Sequence, residues 1–595
     1  MQFLRLAQAR SAQVRPTQGH LATAVGMAGM LMAAGVAAPA QAQTANIPTR
    51  DELRGITAPP PEAPTRLSIE GGIERSPCPL ADPQFKDITV TIGEVVFGGL
   101  KGADAAELAP AWKPYAGQLQ PIAVLCEVRD AAATILRSKG YLAAVQVPAQ
   151  RIENGQVRME VLYARVTAVR ARGETRGAEA KLEQYLGKLT EGEVFNRFTA
   201  ERYLLLARDL PGYNVQLTLR PADTGPGDLI GELAVVREPY AVDFTLQNLA
   251  SESTGRWGGQ VRVQAFGLTG MGDATSLSYY ATSDFSEQHI VQAAHEFRPG
   301  SQGLVVSGQF TYAWTKPDIG AAPGAASIDA RTLFASLAAR YPLKRTQASN
   351  LWLGAGLDLV NQNVDLLGPL TRDKVRVAWA RLDYDAVDTG AVRPRWRLAG
   401  TFEARQGLAI LDATRSCIGA GCPAGSVPTS RGDGSPTATV LRAQGEVELA
   451  LGKDAAFSLA PRAQYAFRPL LSFEEFSGGN YTIGRGFDPG ALQGDSGVGA
   501  TAELRAPRIA LRQGSELRFQ PFVFGDAAWA WDKGAPGGAS RLLSAGVGVR
   551  AEMGARFRLN ATLAVPLEHA PLQARRGDPR FLLTFTTRLL PWRAL

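Results

Sequence analysis

The stretch that decides the fold of this chain runs from Arg395 to Arg405 and reads RWRLAGTFEAR. Its large apolar side chains, Trp396, Leu398 and Phe402, share one parity. The opposite parity carries charge at Arg397, Glu403 and both ends of the stretch. Successive side chains of a β-strand face opposite sides, so one face suits hydrocarbon and the other suits water.

The same period of two continues through the 356 residues from Tyr240 to Leu595. A soluble β-sandwich also alternates, but its strands rarely keep one face so charged over so many segments. The pattern therefore predicts a sixteen-stranded antiparallel transmembrane β-barrel over residues 240–595. The strands are predicted to begin near residues 240, 258, 274, 289, 303, 331, 350, 374, 394, 438, 455, 497, 515, 540, 555 and 580. The two long connections, 407–437 and 470–496, both follow odd-numbered strands and are expected on the outer side.

Two small α/β units precede the barrel, over residues 81–163 and 164–239. Each has the order strand, helices, hairpin, in which period-2 and helical spacings of apolar residues alternate. The first unit is predicted to contain a strand over 88–92, a helix over 125–136, and strands over 142–147 and 157–161. The second is predicted to contain a strand over 166–170, helices over 178–189 and 199–210, and strands over 215–219 and 229–236.

The N-terminus reads as a secretory signal peptide over residues 1–42. Three arginines precede the apolar run Leu21–Ala38, and Ala40-Gln41-Ala42 resembles a cleavage site. Residues 43–80 are rich in proline and are predicted to be an extended linker. A short helix beginning near Thr49 is an alternative within this linker, and a plug inside the barrel is another.

Composition excludes several classes of protein. The chain has 63 Lys and Arg against 56 Asp and Glu, and 45% of its residues are hydrophobic, which is too apolar for disorder. Removal of Arg5, Arg10 and Arg15 with the signal peptide lowers the formal charge from +7 to +4. The basic balance is therefore partly a targeting feature, and we do not expect nucleic acid as a partner.

No sequence motif points to catalysis, a cofactor or a metal. The chain contains no GxxxxGK[ST], GxSxG or HExxH pattern. His289 and His295 lie six residues apart on one predicted strand, about 20 Å, too far to share a metal ion. An enzyme is consequently the least supported class.

The four cysteines form two candidate disulfides in an exported protein. Cys78 and Cys126 bracket the first strand of the first α/β unit, and Cys417 and Cys422 lie together in the connection after strand nine. Both pairs are interpreted as structural staples.

The connection between predicted strands eleven and twelve contains Ile483-Gly484-Arg485-Gly486-Phe487. Here the chain resembles the two-partner secretion transporters, the TpsB class of ShlB/FhaC/HecB type, which are related to the BamA-like outer-membrane insertases. The resemblance covers nearly the whole mature chain, including two POTRA units and the barrel. A glycine stands where the family usually has another residue before the arginine, so the match is the Arg-Gly-aromatic core of the VRGY/F-like signature.

The resemblance implies that this loop folds back into the lumen as a lid, with Arg485 on an acidic residue of the wall. In predicted strand thirteen, Asp526 has inward parity and lies in Phe524-Gly525-Asp526, which resembles the family's strand motif. Asp526 is therefore the expected partner. Glu503 in strand twelve also has inward parity and is the second candidate. The remaining alternative is an ordinary turn arginine and a solvated acid.

The primary hypothesis is a monomeric transporter in the outer membrane of a Gram-negative bacterium, with its POTRA units in the periplasm. It would bind an unfolded TpsA-like exoprotein and export it through the barrel, surrounded by outer-membrane lipid. The alternatives are an outer-membrane insertase, which the presence of only two POTRA-like units disfavours, and a passive porin or receptor.

Overall fold

The computed structural model describes residues 48–57, 78–222, 224–225, 227–318, 327–391, 393–415, 425–452, 454–510, 512, 514–534, 537–554, 556–571 and 573–591. The predicted signal peptide, most of the predicted linker and the Cys417/Cys422 pair lie outside these ranges. Within them, no helix has both the length and the apolar character needed to cross a membrane.

The first described element is a helix, α1 (Arg50–Thr57). The first α/β unit follows and packs its longest helix onto a three-stranded sheet of order β2-β5-β4, in which β2 and β5 are parallel. Its elements are β1 (Thr89–Thr91), β2 (Glu94–Gly98), α2 (Ala105–Leu108), β3 (Leu119–Pro121), α3 (Val124–Ser138), β4 (Ala143–Gln146) and β5 (Gln156–Tyr163), with 3-10 turns at Pro79–Ala81, Pro83–Phe85, Ala109–Ala111 and Lys113–Tyr115. A disulfide between Cys78 and Cys126 fixes the start of this unit to α3.

The second α/β unit repeats this topology with the sheet order β6-β8-β7 and a parallel β6–β8 pair. Its elements are β6 (Arg165–Gly173), α4 (Glu179–Thr190), α5 (Arg197–Arg208), β7 (Tyr213–Pro221) and β8 (Asp228–Arg237). The helix α5 begins where the Asn196 side chain accepts hydrogen bonds from the backbone N–H groups of Phe198 and Thr199. The predicted duplication is therefore present.

Sixteen antiparallel strands close into a barrel, in which the first strand pairs with the last. The strands from here to the C-terminus are β9 (Tyr240–Gln247), β10 (Gly258–Phe266), β11 (Ala274–Thr282), β12 (Gln288–Phe297), β13 (Val305–Thr315), β14 (Ile328–Arg345), β15 (Ser349–Leu366), β16 (Pro369–Val387), β17 (Trp396–Gly407), β18 (Thr439–Ala450), β19 (Ala456–Ala466), β20 (Phe476–Gly478), β21 (Leu492–Gly494), β22 (Ser496–Arg505), β23 (Ile509–Ala510), β24 (Leu517–Trp531), β25 (Ser540–Met553), β26 (Phe557–Pro566) and β27 (Arg580–Leu590). The short strands β20 and β21 pair with each other apart from the wall, and β23 is a two-residue extension beside β24. Two 3-10 turns, Glu252–Thr254 and Ser472–Glu474, lie in the connections.

The stretch that decided the fold class has the predicted two faces. Trp396 and Phe402 on β17 point away from the lumen and are exposed, whereas Glu403 and Arg405 point inward and are buried. The apolar outer face matches a lipid environment, and the inner face carries the charge.

The second α/β unit contacts the turns that join even-numbered to odd-numbered barrel strands. Asp209, just after α5, receives two hydrogen bonds from the guanidinium of Arg345, with N···O distances of 2.8 and 2.6 Å. Arg202 on α5 donates to the carbonyl of Pro342 at 2.8 Å, and Lys181 on α4 donates to the carbonyl of Gly300 at 2.8 Å. These polar contacts fix this unit to one end of the barrel.

Candidate functional site

The candidate site is built by residues 470–495, which make up most of the connection between β19 and β22 and which we call the lid loop. Its backbone explains the two glycines that flank Arg485. Gly484 has a φ of +117°, a left-handed conformation that favours glycine over other residues. At Gly486 an added Cβ would lie 2.9 Å from both the backbone nitrogen of Pro566 and the Cβ of Ser544. Gly484, the glycine that departs from the family pattern, therefore has a backbone conformation that favours glycine.

Arg485 contacts the wall through Asp526 on β24. Its backbone N–H and its Nε both donate to Asp526 Oδ2, at 2.9 and 3.2 Å, and its Nη2 donates to Oδ1 at 3.0 Å. The Asp526 carboxylate also accepts hydrogen bonds from the hydroxyls of Thr501 and Ser544. The guanidinium lies 3.6 Å from the ring centroid of Phe524, in cation–π geometry.

Glu503 on β22, the second candidate partner, binds the same arginine. Arg485 Nη1 donates to Glu503 Oε1 at 2.8 Å. Two wall arginines share this carboxylate: Arg550 donates to both of its oxygens, and Arg505 donates to Oε2. The two candidates therefore act together, with Asp526 as the chelating partner and Glu503 as a carboxylate shared among three cations.

Apolar contacts hold the two sides of the motif. Ile483 and Phe487 are buried in a cluster with Phe476 and Leu492 of the loop and Leu542 of β25. All five signature residues, Ile483 to Phe487, are therefore in contact with the barrel or with the loop itself. Beyond them, Asp488 accepts a hydrogen bond from Arg256 at 3.1 Å and forms an ion pair with Arg580 at 2.7 Å.

The helix α1 also lies in the lumen, where the sequence favoured a tether. Arg50 donates to Glu403 on β17 at 3.0 Å, and Asp51 pairs with Arg462 on β19. Leu53 packs in an apolar cluster with wall residues from β11 to β16. The helix also contacts the lid loop directly, because Ser477 Oγ donates to Glu52 Oε1 at 2.6 Å.

A fully buried arginine, Arg405, connects the helix, the wall and the lid loop. It donates to Glu474 of the lid loop at 2.9 and 3.0 Å, to Asp358 at 2.9 Å and to Glu403 at 3.2 Å. Since Glu403 also binds Arg50, one chain of alternating charges runs from α1 through β17 to the lid loop. This network of ion pairs and hydrogen bonds links α1 and the lid loop to the wall, in addition to their apolar contacts.

Sequence reasoning identified Arg485 and both of its acids but missed Arg405, Glu474 and the partners of α1. Arg405 carried a signal, because it belongs to the charged parity of β17. Glu474 precedes Arg485 by eleven residues and has no distinguishing pattern around it. Among the cysteines, Cys78 and Cys126 form the predicted disulfide with a Cα–Cα distance of 5.9 Å.

Comparison with known proteins gives one consistent family. The sequence profile described as "Haemolysin secretion/activation protein ShlB/FhaC/HecB" matches residues 234–551, and the profile "POTRA domain, ShlB-type" matches residues 90–163. A search of curated proteins found no match.

Two solved structures share the fold of the chain. CdiB from Escherichia coli has a TM-score of 0.71 and 18% identity, over 85% of this chain and 92% of that one. CdiB from Acinetobacter baumannii has a TM-score of 0.64 and 17% identity, over 87% of this chain and 91% of that one.

Proposed function

Because the chain belongs to the ShlB/FhaC/HecB family of haemolysin secretion/activation proteins, whose members are two-partner secretion transporters of the outer membrane, we propose that it exports an unfolded exoprotein through its barrel. The family's partner is a secreted, TpsA-like exoprotein, and its POTRA domains lie in the periplasm. In this proposal the chain works as a monomer in the outer membrane of a Gram-negative bacterium, binds the exoprotein through its α/β units and releases it at the outer side.

The observation that carries the proposal is the way in which the lumen is occupied. The lid loop and α1 are both held by side-chain ion pairs and hydrogen bonds, with Leu53, Ile483 and Phe487 as their apolar anchors. Water or a polar chain segment can replace such contacts, because both partners become solvated when the pair separates. Displacement of both segments would open a route lined with charged residues, suited to an extended polar chain.

The α/β units offer edges for an extended chain. In the described part of each unit the sheet has three strands, so β2 and β4 in the first, and β6 and β7 in the second, lie at the sheet edges. An extended segment can add to such an edge through main-chain hydrogen bonds, with little demand on its sequence. This mode suits a cargo that has not yet folded.

The closed seam of the barrel favours the lumen over lateral release into the membrane. Strands β9 and β27 pair in antiparallel register from Gln247 and Thr584 to Val242 and Leu590. Beyond the Gln247–Thr584 pair, the Asn248 side chain donates to the carbonyl of Phe581 at 2.8 Å and accepts from the N–H of Leu583 at 2.6 Å. An insertase would have to break these bonds to open a gate, whereas export along the axis leaves them intact.

The test is a chain that lacks residues 80–238 but keeps the signal peptide, α1 and the barrel. We expect it to insert into the outer membrane, as judged by heat-modifiable mobility on gels, and to lose export of the exoprotein that the full chain secretes from the same cells. A full chain with Glu193→Gln, which removes one partner of an exposed ion pair with Lys101, is the control and should export normally. Undiminished export by the truncated chain would contradict the role given to the α/β units.

A further inference from the structure

Arg431 lies in the outer connection between β17 and β18, within the triplet Arg431-Gly432-Asp433. The transport mechanism above gives it no role. Its side chain is nonetheless largely buried and contacts four carboxylates. Nη1 donates to Glu475 and Asp495, both at 2.7 Å, and to Asp532 at 3.4 Å, and Nη2 donates to Asp433 at 3.1 Å.

The carboxylates belong to different segments of the outer side. Glu475 lies near the start of the lid loop, Asp495 is its last residue, and Asp532 follows β24. One carboxylate oxygen from each of the three lies within 4.8 Å of the others. Glu475 and Asp495 are buried, and burial raises the pKa of Glu475 to about 7 although Arg431 lowers it. The positive charge of Arg431 therefore offsets the electrostatic repulsion among these three carboxylates.

The backbone supports the same contact. The N–H of Ser472 in the lid loop donates to Ser430 Oγ at 3.1 Å, and the N–H of Ser435 donates to the carbonyl of Pro469 at 2.8 Å. Within the lid loop, the neighbouring residues Glu474 and Glu475 face different partners. Glu474 binds Arg405 of the wall and Glu475 binds Arg431 of the outer connection. Two adjacent residues of the lid loop are thus bound from different sides, Glu474 from the lumen and Glu475 from the outer side.

We propose that Arg431 is a positioning residue that latches the lid loop at its outer end. It joins the connection after β17 to both ends of the lid loop and to the connection after β24. The latch is separate from the Arg485 contact, which lies deeper in the loop and on other acids. If the protein exports cargo as proposed, the cargo leaves only after this latch has opened. That part of the inference rests on the proposed function.

Hydrogen exchange of the purified full chain tests the latch without any cargo. Arg431→Gln should raise exchange at residues 472–476 and 493–496 by about tenfold or more, because charge-assisted hydrogen bonds to buried carboxylates are lost. Exchange at 483–487 should change far less. Asp433→Asn, which alters the most exposed partner, is the matched control and should resemble the wild type.

Arg431→Lys provides a second test in case Arg431→Gln does not fold, since lysine keeps the positive charge among these carboxylates. A single ammonium cannot reproduce the planar fork of the guanidinium, so exchange should rise to an intermediate value. Wild-type exchange in both Arg431 variants would overturn the latch. A rise of equal size in Asp433→Asn would also overturn it.

A crosslink tests the need for opening. Ser430→Cys together with Ser472→Cys should form a disulfide, checked by mass spectrometry, and should stop export until a reductant is added. The wild type with and without reductant controls for the Cys78–Cys126 bond. Normal export by the crosslinked chain would overturn the requirement for release. If the wild type itself exported nothing, the proposed function would fail, while the exchange result would still decide the latch.

Discussion

Replacement of Arg485 by alanine should release the apex of the lid loop. The change removes two side-chain hydrogen bonds to Asp526, one to Glu503 and the contact with the Phe524 ring. Removal of one partner from a buried pair can cost about 3–5 kcal/mol, because the other charge is left unpaired.

The structure lowers this figure. Asp526 keeps the hydroxyls of Thr501 and Ser544, and Glu503 keeps Arg550 and Arg505. Both carboxylates therefore keep hydrogen-bond donors, and we expect the closed lid to lose about 2–3 kcal/mol of stability relative to the detached lid. This corresponds to a roughly 30- to 150-fold shift toward the detached lid.

The assay is hydrogen exchange at residues 483–488 of the full chain, followed by measurement of export. Arg485→Ala and Asp526→Asn should each raise exchange, and the double variant should exceed the larger single effect only slightly, since the two residues act as one unit. Arg485→Lys should remain deficient, because an ammonium cannot chelate the carboxylate as the guanidinium does.

Two arginines serve as controls. Arg518 lies on β24 near its periplasmic end and is exposed, and Arg550 is a wall residue that donates hydrogen bonds to Glu503. Alanine at Arg518 should leave exchange in the lid loop unchanged, and alanine at Arg550 should change it less than Arg485→Ala. Simple addition of the two single effects, or an effect of Arg518→Ala as large as that of Arg485→Ala, would refute a specific contact between lid and wall.

Three further predictions follow from other contacts. Arg50→Ala should loosen α1, because Arg50 is its buried link to Glu403, and should raise the ionic conductance of the protein in planar bilayers, whereas alanine at the mostly exposed Arg172 should not. Asp209→Asn should raise hydrogen exchange at residues 201–209, because the two-point contact with Arg345 is lost, while Glu193→Gln should leave it unchanged. The protection factor around Glu475, which is the exchange rate of an unstructured peptide at the same pH divided by the observed rate, should rise as the pH is lowered from about 7 toward 4.5. Burial raises the pKa of Glu475 to about 7 in the closed state, so that state binds the proton more tightly than an open, solvated one, and this stabilisation is lost as the pH rises through 7. Glu475→Gln should abolish that dependence, because the glutamine side chain does not titrate. Arg431, Asp495 and Asp532 also face this position, and a pH dependence that survives the substitution would assign the titration to another group.

The barrel could be predicted because lipid and water act on alternate side chains of each strand. Predicted starts near 455, 497 and 540 lie within one residue of β19, β22 and β25. The agreement weakens where strands run past the membrane, since β16 begins at Pro369 rather than near 374. There both faces meet polar surroundings, and the alternation that reports a membrane strand is lost.

The helix α1 was only an alternative to an extended linker in the sequence, because its stabilisation is almost entirely tertiary. An isolated helix of eight residues is unstable in water, and this one carries charge at Arg50, Asp51, Glu52 and Arg54. Its partners Glu403 and Arg462 lie 353 and 411 residues away from Arg50 and Asp51 along the chain. No local pattern encodes such contacts. The small strand β2 was missed for a simpler reason, since Val95, Val96 and Phe97 are consecutive apolar residues and show no alternation.

Three arginines, Arg485, Arg405 and Arg431, fix the lid loop at separate points, in addition to the contacts of Asp488 with Arg256 and Arg580. Arg485, Arg405 and Arg431 each lie among two or more carboxylates, of which at least one is buried. A buried ion pair adds little net stability, because its Coulomb attraction is largely offset by the loss of hydration. Such contacts fix the position of the loop, while each can still be exchanged for contacts with water. Since the three points bind different acids, the proposed export would allow a cargo chain to release them in turn, without detaching the whole loop at once.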